Sequence, residues 1–217
     1  MFSMENFHRQ YETEQRDSVL GNRAFRFLVP LSLDPFIEPE NLFKAFPLWT
    51  KIWEASLVLA NRLATLPPIE GGRWLELGAG LGVVGVVGAA FEHDVTITEY
   101  DPHALNFIRA NASLNNCKPR AIRRLDWMQP DLDDRFDRII GSELIYNEDH
   151  FPALRNLFLS LIKPGGEILL AGEARRTNTA FLDLMQQDFQ IAISRSTLRS
   201  ETGSVTVLLT RLRPKKK

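Results

Sequence analysis

The chain reads as a doubly wound α/β fold, a mainly parallel seven-stranded sheet closed by a C-terminal antiparallel strand pair. Three observations predict it. Between Arg73 and Ala171, short apolar runs alternate with amphipathic helix-length segments, the pattern of parallel strands covered by helices. One run, Trp74-Leu75-Glu76-Leu77, passes straight into Gly78-Ala79-Gly80-Leu81-Gly82, a strand-turn-helix junction of the kind that holds nucleotide cofactors. Past the last helical segment, residues 189–196 and 204–212 are two apolar runs with Thr202-Gly203 in the turn between them.

The elements follow in order. Residues 1–47 are polar, then punctuated by Pro30, Pro35, Pro39 and Pro47. They are expected as an N-terminal extension: a helix or arm over residues 5–17, a short strand over 24–29 and irregular chain to Pro47. Residues 48–217 form the α/β domain. Ile52, Trp53, Leu57, Leu59, Ala60 and Leu63 recur at helical spacing, and Pro67-Pro68 stops that helix. The first strand is 73–77 and its helix 83–91; the second strand is 95–98. Asp101-Pro102, an Asp cap with Pro at the first position, opens the next helix, which ends near Asn115-Asn116. The third strand is 120–125 and the fourth 136–141. A helix over 151–162 ends at Lys163-Pro164-Gly165-Gly166, and the fifth strand is 167–171. A polar helix over 178–187 precedes the closing pair.

Bulk properties narrow the function. A net charge of −1 gives no global attraction to nucleic acid or an anionic membrane. One cysteine, Cys117, excludes an intrachain disulfide and suits a cytoplasmic location. No apolar run approaches the roughly 20 residues of a membrane span, and the N-terminus lacks the apolar core of a signal peptide. His8, His93, His103 and His150 show no ligand spacing, so no metal is expected. The basic tail Arg211-Leu212-Arg213-Pro214-Lys215-Lys216-Lys217 reads as a solvated end.

Ligands of open α/β sheets bind beyond the carboxyl ends of the strands. Those ends carry Glu76 with Gly78, Gly80 and Gly82; then Glu99; then Asp126-Trp127; then Glu143 with Tyr146. Gly80-Leu81-Gly82-Val83-Val84-Gly85 also matches a dinucleotide fingerprint, in which Glu99 binds ribose and the helix N-terminus holds pyrophosphate. S-adenosylmethionine carries the same adenosine, but its other half bears an ammonium and a sulfonium. A carboxylate at Glu76 repels a pyrophosphate and attracts an ammonium, which favours the sulfonium cofactor. Asp126 would accept from the adenine amino group or cap a turn, and Trp127 would pack on the ring.

Together these motifs, spanning roughly Trp49 to Arg211, resemble the class I, Rossmann-like S-adenosylmethionine-dependent methyltransferases. Trp53-Glu54-Ala55-Ser56, Leu125-Asp126-Trp127 and Gly141-Ser142-Glu143-Leu144-Ile145-Tyr146 further resemble the protein lysine methyltransferase branch with an Asp-x-x-Tyr motif after the fourth strand. Glu143 departs from that branch's Asp. Ser142-Glu143 and Tyr146-Asn147 also resemble a protein histidine methyltransferase group. The resemblance implies that Trp53 packs on the methionine end of the cofactor, that Glu143 orients the acceptor amine or takes its proton, and that Tyr146 shapes the pocket. Trp49 is a candidate for the substrate channel. The leading expectation is an N-methyltransferase acting on a protein lysine. The alternatives are a protein histidine target, a small-molecule substrate or a catalytically silent cofactor-binding module. A nucleic-acid substrate is disfavoured by the near-neutral charge and the lack of an Asn/Asp-Pro-Pro-Tyr motif.

Overall fold

A computed structural model describes residues 2–37, 46–175, 177–200 and 203–216. Pro39, Thr202 and Lys217 lie outside the described residues. The chain opens with helix α1 (Met4–Gln10) and an antiparallel hairpin, β1 (Thr13–Leu20) and β2 (Arg23–Pro30). Then come α2 (Glu54–Ala64), β3 (Arg73–Glu76), α3 (Val83–Ala90), β4 (Asp94–Glu99), α4 (Pro102–Leu114), β5 (Ala121–Arg124) and β6 (Phe136–Ser142). The chain ends with α5 (Phe151–Leu161), β7 (Ile162–Glu173), α6 (Thr177–Met185), β8 (Phe189–Ser200) and β9 (Gly203–Pro214). Among the described residues, no helix is long and apolar enough to cross a membrane.

Seven strands form one sheet in the order β5-β4-β3-β6-β7-β9-β8. The first five in that order are parallel; β9 pairs antiparallel with both β7 and β8. The chain leaves β3 for β4 and β5 on one side, then returns to lay β6 and β7 on the other. That reversal between β3 and β6 is where side chains at strand ends splay apart and leave room for a ligand. Period-two alternation divides the apolar residues between the faces. Trp74, Val95 and Ile97 join α2, α3 and α4 in one core, while Leu75, Ile139 and Leu170 join α5 and α6 in the other.

One expectation is corrected. Residues 5–17 are not a continuous helix or arm: α1 stops at Gln10, and Thr13–Leu20 is a strand. Its Glu, Gln, Arg and Asp residues carry little strand preference of their own. The ladder to β2, running from Thr13↔Pro30 to Leu20↔Arg23, overrides local propensity. The hairpin and α1 also share the core of the α/β domain, through Phe7, Tyr11, Phe25 and Phe27.

Candidate active site

Local chemistry sets the first wall. β3 ends at Glu76, and the chain turns through Gly78 at φ +56° and Gly80 at φ +57°. A Cβ on Gly78 would meet Leu144 at 2.8 Å and Trp127 at 3.0 Å, and the positive φ strains any residue with a side chain, so glycine is favoured there. Facing this turn, β4 ends at Glu99. Its Oε2 accepts from the Gly80 amide (2.8 Å), and its Oε1 accepts from the Tyr100 amide (2.6 Å). Burial pushes the Glu99 carboxyl up, with the three backbone N–H groups it receives opposing the shift. Asp101 caps α4, accepting from the His103 and Ala104 amides at 2.7 and 3.2 Å. Its second oxygen accepts from Trp49 Nε1 at 3.1 Å. Trp49 is thereby fixed edge-on against Phe36, with ring centroids 4.8 Å apart.

The opposite wall comes from β6. Glu143, the residue after its last, adopts φ +55°, a left-handed conformation unusual for a side chain with a Cβ. Its amide donates to the Ala171 carbonyl (2.8 Å), its Oε1 accepts from the Glu173 amide (2.8 Å), and its Oε2 pairs with Arg175 (3.1 Å). Burial pushes its carboxyl up, and the Glu173 amide and Arg175 pull it back. Tyr146 stands edge-on to His150 with centroids 6.0 Å apart, and burial together with the charge of Glu99 pushes its phenol up. Trp53 donates from Nε1 to the Leu48 carbonyl (2.8 Å) and carries the Lys51 ammonium 3.7 Å over its ring.

These walls enclose a cleft of about 940 Å³. It brings together Trp49, Trp53, Gly78, Gly80, Glu99, Asp126, Trp127, Glu143 and Tyr146. Asp126 caps a turn, its Oδ1 accepting from the Met128 amide at 2.8 Å, which leaves Oδ2 for a ligand. Glu76 and Gly82 do not line the cleft. Strand alternation turns Glu76 onto the face that α3 covers, where it is 1% exposed and neither carboxyl oxygen completes a hydrogen bond among the described residues. Burial pushes its carboxyl well up, offset in part by the Gly85 amide. The direct ammonium contact expected from the sequence is therefore not the one this side chain makes. Gly82 caps α3 and faces Ile108.

The cleft fits an adenosine-bearing, cationic cofactor. It offers carboxylates at Glu99 and Asp126, an indole at Trp127, and a glycine turn with positive φ at Gly78 and Gly80 that lets a ligand approach the main chain. Comparison with known proteins is decisive here. A profile of the lysine methyltransferase family matches residues 48–188. The chain belongs to this family. It is 34% identical over 164 residues to the protein N-lysine methyltransferase METTL21A of Xenopus tropicalis, covering 72% of this chain and 75% of that one. It is 30% identical over 183 residues to the EEF1A lysine methyltransferase 3 of Mus musculus, covering 80% and 77%. The fold superposes with a TM-score of 0.64 at 20% identity on the T. thermophilus 16S rRNA N2 G1207 methyltransferase in complex with AdoMet and guanosine, covering 94% of this chain and 51% of that one. The protein is an S-adenosylmethionine-dependent methyltransferase.

Sequence reasoning missed Lys51, Tyr100, Met128, His150 and Arg175. Lys51, Tyr100, Met128 and His150 line the cleft, and Arg175 pairs with Glu143. Arg175 had an available signal: it lies just past the end of the fifth parallel strand, where ligand residues of such sheets collect.

Proposed function

We propose that this methyltransferase acts on the side-chain amine of a protein lysine, with Glu143 and Tyr146 at the acceptor and Trp53, Gly78, Gly80, Glu99, Asp126 and Trp127 around the cofactor. The observation that carries the reading is the meeting of Glu143 and Tyr146, from the end of β6, with the glycine turn and Glu99 in one cleft. The names of its relatives support a protein lysine as the acceptor. S-adenosylmethionine supplies a methyl group already activated on a sulfonium. The chain's own task is to hold a neutral amine in line with it. Keeping a lysine neutral at pH 7 costs roughly 4–5 kcal/mol. A sulfonium charge beside the amine disfavours the ammonium and offsets much of this cost. Glu143 orients the amine by accepting a hydrogen bond from it or receives its proton, and Tyr146 offers a second acceptor oxygen.

Residues 1–47 are read as an extension and 48–217 as the methyltransferase domain; the family match covers 48–188, while α1 and the hairpin pack into the same core as that domain. A cytoplasmic location is supported by the single thiol, Cys117. The test uses tritiated S-adenosylmethionine and a lysate from a strain lacking the protein. A labelled protein band whose label resides in methyl-lysine, and which is lost with Glu143→Ala, is the expected result. Label in methyl-histidine, or only in the small-molecule fraction, overturns it.

A further inference from the structure

Away from the cleft, α2 and the β8–β9 pair enclose a second groove of about 260 Å³. Leu59 of α2, Leu169 of β7 and Leu209 of β9 form its floor, and Ser194 of β8 adds a hydroxyl. Arg62 and Arg211 stand on its two sides, and both are exposed. Two residues further along β9 from Arg211, Arg213 shares one carboxylate, Glu167 of β7, with Arg138 of β6; Arg213 Nη2 lies 2.9 Å from its Oε2, and Arg138 pairs with its Oε1. Arg62 and Arg211 form no ion pair among the described residues. Burial, then the charges of Arg213, Arg62 and Arg211, push Arg138 down, which places these guanidiniums within mutual electrostatic reach. Four cations therefore answer to one anion over an apolar floor. An incoming carboxylate relieves that imbalance, and an aliphatic neighbour covers the leucines.

The groove is metrically linked to the acceptor end of the active site along both of its walls. α2 begins at Glu54, whose charge acts on Glu143, and from there to Arg62 is about 12 Å of helix. On β9, Val207 pairs with Glu173, whose amide holds Glu143; Arg211 is about 13 Å further along that strand. An extended peptide covers that distance in roughly four residues. Resting on the reading of a protein lysine substrate, we propose that the α2–β9 groove docks an acidic, aliphatic segment of the substrate protein, with a carboxylate about four residues from the target lysine bound by Arg62 and Arg211.

The probes are fluorescein-labelled extended peptides bearing one lysine, with an Asp-Leu pair four residues before or after it. Matched peptides carry Asn-Leu. Anisotropy is read with the full chain in the presence of S-adenosylhomocysteine, and methyl transfer to the same peptides is read in parallel. One of the Asp peptides is expected to bind at least ten-fold tighter than its Asn partner. That preference should vanish in Arg62→Gln/Arg211→Gln, whose unchanged S-adenosylhomocysteine affinity reports an intact fold. Equal binding of the Asp and Asn peptides overturns the proposal, as does a preference that survives the double substitution. A short mixed-sequence RNA that displaces the Asp peptide and loses affinity in the same variant would assign the groove to nucleic acid, which also overturns it. Asp-selective binding without methyl transfer leaves the docking groove standing and counts against the lysine acceptor. Methyl transfer without Asp selectivity does the reverse.

Discussion

Glu143 holds a backbone conformation that costs of order 1–3 kcal/mol for a residue with a Cβ. It persists because three contacts over-determine it: Ala171 takes its amide proton, Glu173 donates to one oxygen, and Arg175 grips the other. Arg175 also opposes the upward push of burial on the Glu143 carboxyl. Arg175→Gln should therefore lower kcat about ten-fold and move the acidic limb of the pH–rate profile to higher pH, with S-adenosylhomocysteine affinity unchanged in calorimetry. Glu76 tells a different story from the same chemistry. Its folded pKa lies above its unfolded one, so the folded chain holds this proton more tightly. The penalty for burying the carboxylate is absent below the ordinary glutamate range and grows as pH rises through the raised pKa. Glu76→Gln in the cofactor-free protein should accordingly gain in Tm over the parent as pH rises from 5 to 8. A Tm difference that is flat across that range would show that Glu76 is not the buried titrating group.

At the scale of elements, α3 is dictated by what lies beneath it. Ala is the better helix former by about 1 kcal/mol, yet a Cβ on Gly85 would lie 2.2 Å from Glu76 Oε2 and 2.6 Å from Ile97. Steric crowding outweighs propensity, so Gly85→Ala should destabilise by about 1–3 kcal/mol in urea titration. The same balance between local and tertiary effects decides what the sequence reveals. α4 was legible from Asp101-Pro102 because its cap is made by neighbours in sequence. The parallel strands were legible because burial on both faces leaves continuous apolar runs, as in Ile139-Ile140-Gly141. β1 was not, since nothing in Thr13–Leu20 announces the strand it pairs with. In the site, the strand-end rule pointed to Glu99, Asp126, Glu143 and Tyr146, which the structure gathers in one cleft because they follow the carboxyl ends of neighbouring parallel strands. It misplaced Glu76, whose direction depends on strand alternation and the depth of α3. It did not reach Lys51, which follows no strand and whose partner Trp53 is set by tertiary contact; Arg175, just past β7, was within its reach.

Across the whole molecule, the N-terminal segment is tied to the glycine turn after β3 through Asn111. Asn111 in α4 is fully buried; its Oδ1 accepts from the Leu28 amide of β2 (2.7 Å), and its Nδ2 donates to the Leu28 carbonyl (3.2 Å) and the Leu81 carbonyl (2.9 Å). Around it, Phe7, Tyr11, Phe25 and Phe27 are each no more than 7% exposed and pack into the core shared with α3 and α4. Phe7 meets Phe107 edge-on at 4.9 Å, and Tyr11 meets the same ring at 5.0 Å. Burying one such side chain stabilises by about 1.5–3 kcal/mol, so the four together contribute roughly 6–12 kcal/mol. The net stability of a whole domain is about 5–15 kcal/mol. Removing them leaves Phe107 facing water and deprives Asn111 of two of its three partners, which adds a desolvation penalty of about 1–3 kcal/mol. The chain 48–217, although it spans the entire family match, should therefore lose its cooperative urea transition, bind a hydrophobic dye and fail to bind S-adenosylhomocysteine. Co-expression of residues 1–47 as a separate chain should restore part of that binding. A truncated chain that unfolds cooperatively at the parent midpoint would show instead that the hairpin is an ornament on a self-sufficient domain.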